Sequence, residues 1–130
     1  MLMMLARITA LLTLLSLGVL FASAGLLVQD ARGLDLHGAG AVALHVFSGA
    51  LASTLALRAW MTRSGTRTAA AGFTLFGLSF AQAALGSYMT LAVHVGGALV
   101  VTLLSAWIVF WTFTTQKAAA RSSENLTTQA

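Results

Sequence analysis

The chain has no cysteine, and its 130 residues include only three acidic and seven basic side chains. Without cysteine there is no disulfide, no thiolate metal site and no iron–sulfur cluster. Charged residues make up 8% of the chain, against about 25% in an ordinary soluble domain, too few to clothe a water-facing surface. No Asp, Glu or Lys falls inside the long apolar runs, which removes carboxylate proton relays and the acid/base pairs of hydrolases. Nor does any Ser of those runs have a carboxylate nearby to help activate it as a nucleophile. The balance is against an enzyme. The isoelectric point near 11.3 rests on a few basic residues scattered at the ends of apolar runs, so nucleic acid is not an expected partner.

What is present is hydrophobic: 58% of residues, with a mean hydropathy of +0.90. From Ile8 to Gln29 there is no charge, and Ile8 to Val28 as a helix measures roughly 31 Å, the thickness of a bilayer's hydrocarbon core. Gln29 to Asp35 is a polar loop, and a second apolar run extends from Gly38 to Trp60. A basic turn follows at Thr62 to Thr68. The next stretch, Thr68 to Gln116, carries no charge and is too long for one crossing. Its expected break is Gly86-Ser87-Tyr88-Met89-Thr90, where glycine and polar residues interrupt the run. The sequence therefore predicts an all-α membrane protein, a bundle of four transmembrane helices made of two repeated hairpins. Residues 1–116 form the single domain, with spans at about 8–28, 38–60, 69–87 and 91–115, and residues 117–130 form a polar, frayed cytoplasmic tail.

Arg7, Arg58, Arg63, Arg67, Lys117 and Arg121 fall on one side of the membrane in this arrangement, and Arg32 alone on the other, beside Asp30 and Asp35. The positive-inside rule then puts both termini in the cytoplasm. Trp60, Trp107 and Trp111 sit toward the inner ends of spans two and four, as an aromatic belt would. Six arginines to one lysine in an alanine-rich chain suit a GC-rich bacterial genome, which makes the expected site a bacterial plasma membrane. Arg7, an apolar run and Ala22-Ser23-Ala24 before Gly25 also outline a signal peptide; the expectation here is a retained anchor helix.

The two halves echo each other. Gly18-Val19-Leu20-Phe21-Ala22-Ser23-Ala24 matches Gly77-Leu78-Ser79-Phe80-Ala81-Gln82-Ala83, and Ala43-Leu44-His45-Val46 matches Ala92-Val93-His94-Val95. The first hairpin has about ten more residues between its motifs, which its outer loop is expected to absorb. Such a repeat relates the hairpins by a pseudo-two-fold axis along the membrane normal and puts His45 and His94 at matching depth. These are the ionisable residues within the apolar spans; His37 lies at the outer boundary, eight residues from His45 and off its helical face. Imidazoles on two facing helices are suited to bind haem iron axially. Ala41, Gly49, Gly97 and Ala98, about one turn from them, leave room for a flat ring. The same small residues also serve plain close packing, with each histidine hydrogen-bonding across a helix interface.

Phe80-Ala81-Gln82-Ala83-Ala84-Leu85-Gly86-Ser87-Tyr88-Met89-Thr90, running on to Val93-His94, resembles the third-to-fourth helix region of the haem A synthase family. Ala43-Leu44-His45 through Leu51 is a fainter match to that family's second helix. The resemblance covers one four-helix half of such a protein and implies one b-type haem between His45 and His94. Members typically have Arg where Val46 stands, and a glutamate in the place of Gly40, Ala41 and Val42; many also have outer-loop cysteines. What the resemblance implies is thus a haem site, and not the oxidation of haem O. Two functions follow as expectations. One is a small haem b protein within a respiratory or electron-transfer assembly of membrane subunits. The other is a cofactor-free accessory subunit of a respiratory membrane complex. A transporter ranks below both, because no span is visibly broken and no buried charge marks a substrate path.

Overall fold

No proline interrupts the chain, so its helices run until a glycine-containing turn stops them. The computed structural model describes residues 1–87 and 90–127, with side chains described up to Thr114. Four helices result: α1 (Leu2–Asp30), α2 (Leu34–Thr62), α3 (Thr66–Ala84) and α4 (Leu91–Thr127). The first two turns are alike. Ala31 (φ 51°) and Arg63 (φ 50°) end their helices in the left-handed region, and Gly33 (φ 93°) and Gly65 (φ 81°) open the next. Glycine adopts that conformation without a steric cost. At the first turn, the Ala31 amide donates to the Leu27 carbonyl and the Arg32 amide to that of Leu26, which closes the helix end.

Three-residue turns force antiparallel neighbours. α1 packs on α2, α2 on α3, α3 on α4, and α4 closes the ring against α1. The diagonal pairs α1/α3 and α2/α4 make no such approach among the described residues. Arg7 Nε donates to the Thr112 carbonyl at 3.0 Å, and its guanidinium lies over Phe113. That contact fixes the start of α1 beside the later turns of α4.

The exterior, unlike that of a water-soluble bundle, is as apolar as the interior. Leu17, Leu44, Leu51, Leu55, Leu75, Val101 and Ile108 fill the centre, but Thr9, Thr13, Ser16, Ser23, Ser48, Ser79, Ser105 and Thr112 are buried with them. Each hydroxyl donates to a carbonyl three or four residues earlier in its own helix, at 2.6–3.0 Å. None of these eight hydroxyls is left unmatched, and the small side chains let backbones approach. Gly72 marks the closest place: a Cβ there would stand 3.2 Å from Ala52 Cα. Large apolar residues such as Leu15, Val42, Phe73, Leu103 and Phe110 instead face outward, a surface suited to lipid.

Three helical stretches are long and apolar enough to cross a membrane: α1, α2 and Leu91–Thr114 of α4. α3, 19 residues with Arg67 and Gln82 among them, falls short of that measure. It lies at Thr66–Ala84 and not at 69–87, because it starts directly from Gly65 and takes the polar Thr66-Arg67-Thr68 into its first turn. The break before α4 is where the sequence puts it, although Tyr88 and Met89 lie outside the described residues. The expected frayed tail is helical through Thr127, since Gln116 to Arg121 are strong helix formers without glycine or proline. Residues 128–130 lie outside the described part.

Candidate functional site

α3 is the element that holds both candidate histidines. His45, in the middle of α2, stacks on Phe80 of α3, with ring centroids 4.2 Å apart and an interplanar angle of 24°. Phe76, one turn earlier, meets Phe80 edge-on at 5.0 Å. Its own ring edge lies 3.0 Å from where a Cβ of Gly49 would stand. His45 Nδ1 is buried and has no hydrogen-bond partner. Ser48, one turn after His45, donates to the carbonyl of Leu44 at 2.6 Å and approaches that of His45 at 3.3 Å.

His94, in the first turn of α4, places Nδ1 2.9 Å from the Gln82 carbonyl. A carbonyl can only accept, so Nδ1 carries a proton, and in the neutral ring Nε2 is then the nitrogen with the lone pair. The acceptor lies in the last turn of α3, and the same carbonyl also accepts from the Leu85 amide at 3.2 Å. The Gln82 side chain folds against Gly97 so closely that a Cβ there would displace it. Its Oε1 is buried and unpartnered.

His37 makes the matching contact in the other hairpin, with Nδ1 3.0 Å from Ser23 Oγ. Since the Ser23 proton is committed to the Leu20 carbonyl, His37 is the donor. Ser23 and Gln82 keep the same 59-residue offset as Gly18 and Gly77, and His37 and His94 are each the fourth residue of their helix. By hairpin contacts, the counterpart of His94 is therefore His37 and not His45. The extra residues of the first hairpin are absorbed by longer helices and not by its loop, which is only 31–33.

In depth, however, His45 is the residue level with His94. Phe80 and Gln82, which hold them, are two residues apart, about 3 Å along α3. His37 lies eight residues further out, about 12 Å. The two histidines thus share a level on the diagonal helices α2 and α4, each against α3, and make no ring contact with each other among the described residues. Phe76 was not legible as a neighbour from the sequence. Its i−4 spacing from Phe80 was the available signal.

Among the described residues, no group of three or more His, Cys, Asp or Glu could hold a bare metal ion. Haem brings four donor nitrogens of its own and asks the protein for only one or two. His94 fits that need as it stands: a metal-bound imidazole donates its other N–H to a carbonyl, which fixes ring and tautomer. His45 fits in depth and in having an uncommitted buried nitrogen. The spaces beside Gly49 and Gly97, by contrast, are taken by Phe76 and Gln82 of α3.

No protein-family model matches the chain, and no curated protein or solved structure matches it either.

Proposed function

We propose that this is a small integral membrane protein whose four helices all cross the bilayer, with one b-type haem held between His45 and His94. α3 at 19 residues reaches about 28 Å, close to a hydrocarbon core of roughly 30 Å. It packs along α2 through Gly72, Phe76 and Phe80, and it must return the chain between two helices that are themselves long enough to span. The basic residues Arg7, Arg58, Arg63 and Arg67 gather at the end of the bundle where α1 starts and α2 turns into α3, which supports a cytoplasmic assignment for that end.

The observation that carries the haem reading is the shared level of the two histidines together with the His94 Nδ1 contact to a carbonyl. His94 would bind through Nε2, kept in that tautomer by Gln82. His45 would turn from Phe80 toward the centre, and the flexible Gln82 side chain would leave Gly97. A haem b held there supplies one-electron transfer, the role of a relay within a respiratory or electron-transfer assembly. A second reading, a cofactor-free accessory subunit, is favoured by Phe76 and Gln82 already filling the spaces beside Gly49 and Gly97.

A reduced-minus-oxidised spectrum of the full chain, purified from haem-replete membranes, separates the two. The haem reading expects a b-type α-band that is lost in both His45→Ala and His94→Ala and kept in His37→Ala. A spectrum without that band leaves the accessory reading.

A further inference from the structure

The basic end of the bundle contains a cleft of about 400 Å³ that the histidine site does not use. Arg58, one turn before the end of α2, lays its guanidinium 5.3 Å over the Trp111 ring of α4. The missing side chain of Gly65 gives it room to lie along the turn: a Cβ there would stand 2.9 Å from a guanidinium nitrogen. Arg67, Ser64 and Thr66 line the other wall. Arg58 is half-buried, whereas Arg63 and Arg67 are exposed. Among the described residues, the single ion pair is Arg32–Asp30 at the opposite end, and no described carboxylate lies against these arginines.

We propose that this cleft binds the phosphate of an anionic phospholipid headgroup. Arg58 and Arg67 supply fixed positive charge, and Ser64 and Thr66 supply hydroxyl donors. Guanidinium groups on phosphate oxygens make short, charge-assisted hydrogen bonds. The start of α3 adds a partial charge of the same sign. What points to a lipid is the division of the walls: a polar turn on one side, and on the other the indole of Trp111 on a helix whose neighbouring Trp107 and Phe110 face outward. A basic pocket between membrane helices, level with the headgroups, is the setting in which anionic lipids are held.

The test uses the full chain in detergent micelles doped with phosphatidylglycerol or phosphatidylcholine, with retained lipid counted by native mass spectrometry. Phosphatidylglycerol should be kept about ten-fold or more over phosphatidylcholine, and Arg67→Gln or Arg58→Gln should each lower its retention about five-fold. Arg32→Gln, at the far end, should leave it unchanged. Arg67 is exposed, so its variant keeps the test open should Arg58→Gln misfold. Equal retention of the two lipids overturns the proposal, as does an Arg32→Gln loss equal to that of Arg67→Gln. A third arm adds inorganic phosphate at millimolar concentration: displacement of phosphatidylglycerol would identify the ligand as a soluble anion and overturn the lipid assignment.

Discussion

The packing of α3 on α2 can be tested with one chemical change made in two places. A Cβ on Gly72 would stand 3.2 Å from Ala52 Cα and 3.2 Å from Leu55 Cδ1, whereas a Cβ on Gly77 meets nothing within 4 Å. Both positions lie on α3, so the gain in helix propensity from Gly→Ala, roughly 0.5–1 kcal/mol, is shared by the two variants. The difference between them isolates packing. Ala52 contributes backbone, which cannot swing aside, and forcing a methyl into a filled interface costs about 1–3 kcal/mol. Gly72→Ala should therefore be less stable than Gly77→Ala by about 1–3 kcal/mol, at least roughly five-fold in the unfolding equilibrium constant. Equilibrium unfolding in mixed micelles with rising dodecyl sulfate, followed by far-ultraviolet circular dichroism, reads that difference directly. If Gly72→Ala matches or exceeds Gly77→Ala in stability, α2 and α3 do not approach as described, and the seat of His45 against Phe80 goes with them.

Because the chain has no cysteine, Arg32→Cys and Ser64→Cys each give a unique label. In cells, an impermeant maleimide should reach Cys at 32 and not at 64, and equal labelling of both would refute the four-span topology. Gln82→Leu removes a buried oxygen without a partner while leaving the backbone carbonyl to His94 in place. It should raise stability by about 1 kcal/mol in the same unfolding assay, and a loss would mean that Oε1 has a partner of consequence.

Much of the fold can be read from charge alone. The uncharged runs mark α1, α2 and the first part of α4, and Gly86 lies in the break before the last helix. α3 is harder to place, because Thr66, Arg67 and Thr68 look like loop residues until Gly65 is seen to start a helix that includes them. The tail fails for a related reason: polar composition signals exposure, but Gln, Lys, Ala and Arg in succession also extend a helix. The echo around each histidine pairs His45 with His94, whereas the hairpin contacts pair His37 with His94, because unequal helix lengths, and not a longer loop, take up the extra residues. The bond from His94 to the Gln82 carbonyl lies beyond any reading of side-chain types, since its acceptor belongs to the backbone.

The α1/α2 and α3/α4 tips of the bundle end at different heights, and a bilayer around it has to accommodate both. α1 and α2 have 29 residues each against 19 in α3, so the second tip stops about 12 Å short of the first, judged by the offset of His37 from His45. Under the proposed four-span topology, lipids beside α3 and the start of α4 meet a shorter apolar wall than those beside α1, and the leaflet at that end must dip toward them at a cost of fractions of a kcal/mol per Å. At the shorter tip, Thr90 Oγ1 bonds to the Leu85 carbonyl at 2.5 Å and pairs with Ser87 Oγ at 2.9 Å, so these two hydroxyls have partners within the described part of the loop. The protein thereby has a thin side and a thick side, and in a membrane of uneven thickness that difference alone would give it a preferred heading.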